Sequence, residues 1–249
     1  MYQLTDVGKR FRKDGAEVVA LRDVNLAIEE GDFLVVQGPT GHGKSTLLQL
    51  LGALDRPTSG TIVFESRDLS ELSERQLTEL RGRAFGFVFQ TFNLIPTLTA
   101  LENVEAALVP LRIDAAERRE RALGALRNVG LEDRAGHLPL ELSGGQQQRA
   151  AIARALVKSP RVILADEPTG NLDQDTRDEI VRLLRRLWER QGQTLVLVTH
   201  DNEIARSAPR SAWIYEGGLS TRERPPARRL TTSTVPGQQG QVSGAPATG

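Results

Sequence analysis

Two short stretches of this 249-residue sequence place glycines, a lysine, hydroxyls and carboxylates where phosphate chemistry needs them. Gly38-Pro39-Thr40-Gly41-His42-Gly43-Lys44-Ser45 fills the pattern G-x-x-x-x-G-K-[ST]. Its glycines let successive backbone amides turn toward one centre, and a helix starting there adds the positive end of its dipole. Lys44 is placed to reach the β- and γ-phosphates of a nucleotide, and the Ser45 hydroxyl to bind Mg²⁺. Thr46 extends the loop toward the α-phosphate. Far along the chain, Asp166 and Glu167 follow the apolar run 162–165. Ligands of open parallel sheets sit at the carboxyl ends of strands, so Asp166 suits Mg²⁺ and Glu167 suits polarising an attacking water. Two carboxylates after a strand are otherwise a solvated turn. The two motifs need each other.

These groups require particular elements to position them. Residues 33–36 read as a buried strand running into the glycine-rich loop, and Leu47, Leu48, Leu50 and Leu51 give residues 44–54 a helical pattern. Before them, Leu4, Val7, Phe11, Val18–Leu21, Val24, Leu26 and Ile28 alternate in the strand manner and predict an antiparallel layer. A strand is expected at 61–64 and another at 85–89. The section from about 91 to 158 is rich in Leu, Ala, Glu and Arg with helical spacing and predicts a mostly helical insertion. It ends in a helix at 145–158, before Pro160. Strand 162–165, helix 174–190 and strand 194–199 then alternate, which predicts a parallel sheet faced by helices, an α/β fold.

Leu142-Ser143-Gly144-Gly145-Gln146-Gln147-Gln148-Arg149 carries the most specific information. Ser143 is a natural helix cap, and the amides of Gly144 and Gly145 form a second helix-start anion site. Beside the lysine loop, this string resembles the LSGGQ signature of ABC-type ATPases, over residues 4–219. The resemblance implies the ABC ATPase fold: a P-loop NTPase core with a parallel sheet, an N-terminal antiparallel β layer and a helical insertion, spanning 1–223. It implies that Leu142, Ser143, Gly144, Gly145 and Gln146 act on the γ-phosphate of ATP held by a second copy, in a head-to-tail dimer around two ATP. It further implies that Ser45, Gln90 and Asp166 hold Mg²⁺, that Glu167 is the base and that His200 contacts the γ-phosphate. Asn171, Leu172 and Asp173 match the loop crossing the dimer interface. Phe11 matches an aromatic that stacks on adenine, with Val18 nearby; a plain strand residue is the other reading of Phe11. His42 stands where the family commonly has a smaller residue.

Residues 87–104 and 165–173 resemble the branch containing macrolide-export and lipoprotein-release ATPases. That implies a separate integral membrane permease, docked beside Gln90 near Phe92, Leu94 and Ile95 unless those side chains are core. An ATPase of cell division or envelope remodelling fits the same motifs. Action on nucleic acid is not expected: acidic and basic residues balance at 32 each, so no basic field marks such a partner. The absence of cysteine excludes disulfide scaffolds and thiolate metal sites. No secretory signal and no apolar run of spanning length are visible, so the expected place is the cytoplasmic face of the membrane, with another chain crossing it. Residues 224–249, rich in Pro, Gly, Ser, Thr and Gln, are expected to form a disordered tail.

Overall fold

The strands sort into two sheets, and the second one carries the motifs at its carboxyl edge. The structure, a computed structural model, describes residues 1–13 and 15–223. The expected disordered tail, 224–249, lies outside the described residues. The chain begins with β1 (Tyr2–Lys13), β2 (Ala16–Ile28), β3 (Phe33–Gln37), α1 (Lys44–Leu51), β4 (Ser59–Phe64) and β5 (Arg67–Asp68). It continues with α2 (Glu74–Ala84), β6 (Phe85–Phe89), α3 (Ala100–Ala106), α4 (Ala115–Asn128) and α5 (Gly144–Leu156). The last elements are β7 (Val162–Asp166), α6 (Gln174–Gln191), β8 (Thr194–Thr199), α7 (Asn202–Ser207), β9 (Arg210–Tyr215) and β10 (Gly218–Glu223).

One sheet is antiparallel, in the order β2-β1-β4-β5. The other, β10-β9-β3-β8-β7-β6, is parallel except for its terminal β9–β10 hairpin. Side chains of the parallel strands alternate between two cores, as the period of two demands. Phe33, Val35, Ile163, Ala165, Leu195 and Leu197 face α3 to α6. Leu34, Val36, Val162, Leu164, Val196 and Val198 face α1 and the antiparallel layer. Both faces of the sheet are covered, which is why its strands read as continuous apolar runs.

Helix starts are fixed by side chains. Ser73, Thr99 and Ser143 each form a reciprocal capping box, with Gln76, Glu102 and Gln146, and Asp173 caps α6. Each cap is worth about 1 kcal/mol. The helix expected at 44–54 stops at Leu51, because Gly52 caps it and Ala53 turns left-handed. Helices α2 and α7 and the β9–β10 hairpin are elements that the sequence reading did not anticipate. The cap at Ser73 is the signal that marks α2; its low apolar content hides the rest.

Candidate nucleotide site

Strand β3 ends at Gln37, and the next residues form a loop that closes on the start of α1. Gly43, the residue before α1, has φ 105°, and a Cβ there would lie 2.3 Å from the Ala20 carbonyl oxygen. Only glycine takes that backbone at that separation. Gly41 is also left-handed, at φ 82°. With Pro39, Thr40 and His42 these residues make the turn that leads into α1, and a turn of this kind can aim successive amides at an anion with the helix dipole behind them.

Lys44 folds back over the loop. Its Nζ donates to the carbonyls of Gly38 at 2.9 Å and Pro39 at 3.1 Å and lies 3.5 Å from Glu167 Oε1. The Lys44 side chain is only 6% exposed, so an anion reaching it would meet a largely dehydrated cation. Ser45 Oγ donates to Asp166 Oδ1 at 3.0 Å, although 121 residues separate them. Thr46 follows within α1.

A hydroxyl and a carboxylate side by side form an oxygen donor set suited to Mg²⁺. Burial raises the Asp166 pKa, and the Glu167 charge adds to that, against the Ser45 bond and the Lys44 charge, which lower it. A carboxylate in such surroundings gains from a bound cation. Among the described residues no group of three or more His, Asp or Glu could hold a metal alone. Mg²⁺ held by one or two side chains together with substrate phosphates fits this site. Because the Asp166 pKa is raised, protons compete with Mg²⁺ at a higher pH than at an ordinary Asp, which titrates near about 3.9. The Mg²⁺ concentration giving half-maximal ATP hydrolysis is therefore expected to rise on acidification. Ser45→Ala removes an oxygen donor as well as a bond that lowers the Asp166 pKa, so it should raise the Mg²⁺ requirement at every pH. A Mg²⁺ requirement in Asp166→Asn equal to that of the unsubstituted protein would remove Asp166 from the cation site.

Glu167 sits directly after β7 in a left-handed conformation, φ 44°, with its amide bonded to the Val198 carbonyl at 3.0 Å. Its Oε2 lies 2.9 Å from His200 Nδ1, and the His200 side chain is 62% exposed. The turn after His200 is held by Arg177, which pairs with Asp201 at 2.8 Å and Glu203 at 2.9 Å.

Gln90, just after β6, is engaged by the 171–173 loop. Its Nε2 donates to Asn171 Oδ1, and Asn171 Nδ2 returns a bond to the Gln90 carbonyl, both at 3.1 Å. The amide nitrogen makes that bond, and the oxygen Oε1 is the atom with cation chemistry. Downstream of Gln90, the fully buried Asn103 donates to the carbonyls of Ile95, Leu98 and Thr99. Arg154 holds the Phe92 carbonyl at 2.8 Å. Phe92 and Leu94 are half-buried and Ile95 is exposed.

The signature residues lie elsewhere on the chain. Ser143 caps α5, and Gly145 packs so tightly against α6 that a Cβ would lie 2.5 Å from Thr176 Cγ2. Leu172 approaches Gly144, so the 171–173 loop packs against the start of α5. Ser143, Gly145 and Gln146 line a cleft of about 410 Å³ with residues of 130–134 and Arg149, Thr176 and Glu179. No residue of the 38–46 loop lines that cleft. The structure therefore gathers Lys44, Ser45, Asp166, Glu167 and His200, joins Gln90 to Asn171, and leaves Leu142–Gln146 apart.

Phe11 and Val18 face each other across β1 and β2, 39% and 47% exposed, outside both cores. Lys9 Nζ lies 4.9 Å from the Phe11 ring centroid. The sequence reading gave no role to Gln148, which is fully buried in α5 and donates to the Pro168 carbonyl at 2.6 Å. It ties the signature helix to the turn after Glu167.

Known proteins resemble this chain along most of its length. The family model described as ABC transporter matches residues 21–170. An ABC transporter ATP-binding protein of Bacillus subtilis, YvrO, is 46% identical over 224 residues, covering 90% of this chain and 97% of its own length. The macrolide export ATP-binding/permease protein MacB of Burkholderia thailandensis is 48% identical over 219 residues, 88% of this chain but 33% of that protein. Among solved structures, the ATP-binding cassette MJ0796 of Methanocaldococcus jannaschii, in a dimeric post-hydrolysis state bound to ADP and Pi, superposes with a TM-score of 0.83. The two are 45% identical, over 90% of this chain and 98% of that one.

Proposed function

The chain belongs to the ABC transporter family of ATP-binding proteins, and from that premise we propose that it hydrolyses ATP in sites shared between two copies of itself to drive a separate membrane permease. The observation carrying this reading is the separation of the two anion sites. One chain presents the phosphate loop in one place and the Ser143 helix start in another, so only two chains can close both onto one nucleotide. The dimeric state of the related cassette supports that reading. ATP between the halves holds them together, and closure is a shift in population driven by the ligand.

In this reading the 38–46 loop and Lys44 hold the triphosphate, and Phe11 stacks on the adenine. Ser45, Asp166 and the Gln90 side-chain oxygen hold Mg²⁺, which when bound offsets phosphate charge. Glu167 accepts the proton of the attacking water, and His200, bonded to Glu167, contacts the γ-phosphate. Hydrolysis weakens the interface and reopens the dimer. Among the described residues no helix is long and apolar enough to cross a membrane; in this reading the work passes to a separate permease chain. We place the dimer on the cytoplasmic face of the membrane, with the permease beside Gln90, where Ile95 is exposed and Phe92 half-buried, while Leu94 packs partly on the core. In this reading the system is of the export or lipoprotein/envelope type, a reading supported by the relative named a macrolide export ATP-binding/permease protein.

Extraction of the tagged chain from its own cells in mild detergent tests the coupling. A stoichiometric integral membrane protein is the expected companion. Ribosomal proteins or nucleic acid, with no membrane protein, would overturn the transport reading and leave the ATPase chemistry standing.

A further inference from the structure

The turn between β9 and β10 grips the phosphate loop through His42. The His42 ring stacks on Tyr215, with centroids 4.9 Å apart and planes 26° from parallel. The Glu216 amide donates to His42 Nδ1 at 2.9 Å across 174 residues of sequence. Gly38 and Gly43, at the two ends of the loop, pack so closely on Ile214 that a Cβ on Gly38 would lie 2.1 Å from its carbonyl oxygen. On its far side the turn is anchored to β2, where the Arg22 amide donates to the Gly217 carbonyl at 2.9 Å. The loop is thus held from outside the elements that flank it.

We infer that Tyr215 and Glu216 are positioning residues for nucleotide binding, holding His42 and with it the 38–45 loop in the shape that receives phosphate. The inference rests on the nucleotide reading of that loop. Tyr215 is 54% exposed and lies outside both cores, so the hydrophobic effect does not explain its placement against His42. A loop whose amides must converge loses affinity when it samples other shapes, because ordering then falls on the binding step. Chemistry after binding does not pass through Tyr215, so affinity and turnover separate.

Titration with an ATP analogue fluorescent at the ribose reads the effect. Tyr215→Ala is expected to weaken binding by about three- to tenfold, the range of one aromatic pair, with kcat at saturating ATP unchanged. Tyr215→Phe keeps the ring and should restore affinity. In a His42→Ser background, Tyr215→Ala should add little, because the two act as one unit. Wild-type affinity in Tyr215→Ala, or full additivity with His42→Ser, overturns the inference. Trp213→Ala, two residues along the same strand, should leave binding unchanged; equal weakening there would mean general loosening of the hairpin and would also overturn it. Lys44→Ala in the same titration separates the two readings. Lost binding in Lys44→Ala beside unchanged binding in Tyr215→Ala defeats the positioning role alone. Unchanged binding in Lys44→Ala defeats the nucleotide reading and the positioning role with it.

Discussion

Glu167→Gln is expected to lower steady-state ATP hydrolysis by about 10²- to 10⁴-fold, the ordinary contribution of a positioned general base, while ATP binding is kept or strengthened. The geometry gives both halves of that result. Glu167 Oε2 lies 2.9 Å from His200 Nδ1, so a side chain of the same shape keeps its place at the end of β7. A carboxamide cannot accept the proton of the attacking water. The other oxygen, 3.5 Å from Lys44 Nζ, competes with phosphate for that ammonium. Removing the charge frees Lys44 and removes repulsion between a carboxylate and the triphosphate. ATP should then stay between two chains, and the variant should elute as a dimer with ATP and as a monomer without it. Phosphate release and size-exclusion chromatography measure the two effects. Hydrolysis near the wild-type rate would transfer the role of base elsewhere, with His200 the nearest candidate.

The legible parts of this site are those built from consecutive residues. A phosphate cradle made of successive amides needs its glycines and lysine within a few positions, so 38–45 could be read directly. The same holds for 142–149, where a cap, two glycines and a helix start adjoin. The parallel strands were equally plain, because burial on both faces removes alternation and leaves apolar runs such as 162–165 and 195–198. What the pattern could not supply were bonds between side chains far apart in sequence. Ser45 to Asp166, Gln90 to Asn171 and His42 to Glu216 depend on how strands are ordered in the sheet, and β3, β8 and β7 are neighbours only after two crossovers. The resemblance to a family put Ser45, Asp166 and Gln90 in one site and Asn171 in a separate interface loop. It offered nothing for the third, because His42 departs from the family's habit.

The β9–β10 hairpin was missed for a related reason. Trp213 and Tyr215 point outward, 41% and 54% exposed, while the smaller Ala212 and the aliphatic Ile214 point inward. Large side chains on the solvent side blur the alternation that marks a half-buried strand. Tyr215 has a partner in His42 that no local window contains. Gln148 is similar, since its value lies in reaching the Pro168 carbonyl 20 residues away.

If each site is shared between two chains, two inactive variants should repair one another. Lys44→Ala removes the ammonium that meets the β- and γ-phosphates. Ser143→Asp keeps a good cap on α5, since Asp caps as well as Ser, but sets a carboxylate where the partner's γ-phosphate must sit. Each variant alone should lose about 10²- to 10³-fold in turnover, the scale of losing one anion-stabilising group. A head-to-tail dimer of one with the other holds one site with both defects and one with neither. An equal mixture forms mixed dimers for half of its population, so sites working independently should return roughly a quarter of the wild-type rate. Sites that must fire together would return less turnover but would still give a mixed dimer that depends on ATP. Differently tagged chains report that dimer by co-purification. A mixture with neither activity nor an ATP-dependent mixed dimer would show that the Ser143 helix start and the Lys44 loop do not meet on one nucleotide, and the cleft lined by Ser143, Gly145 and Gln146 would then need another ligand.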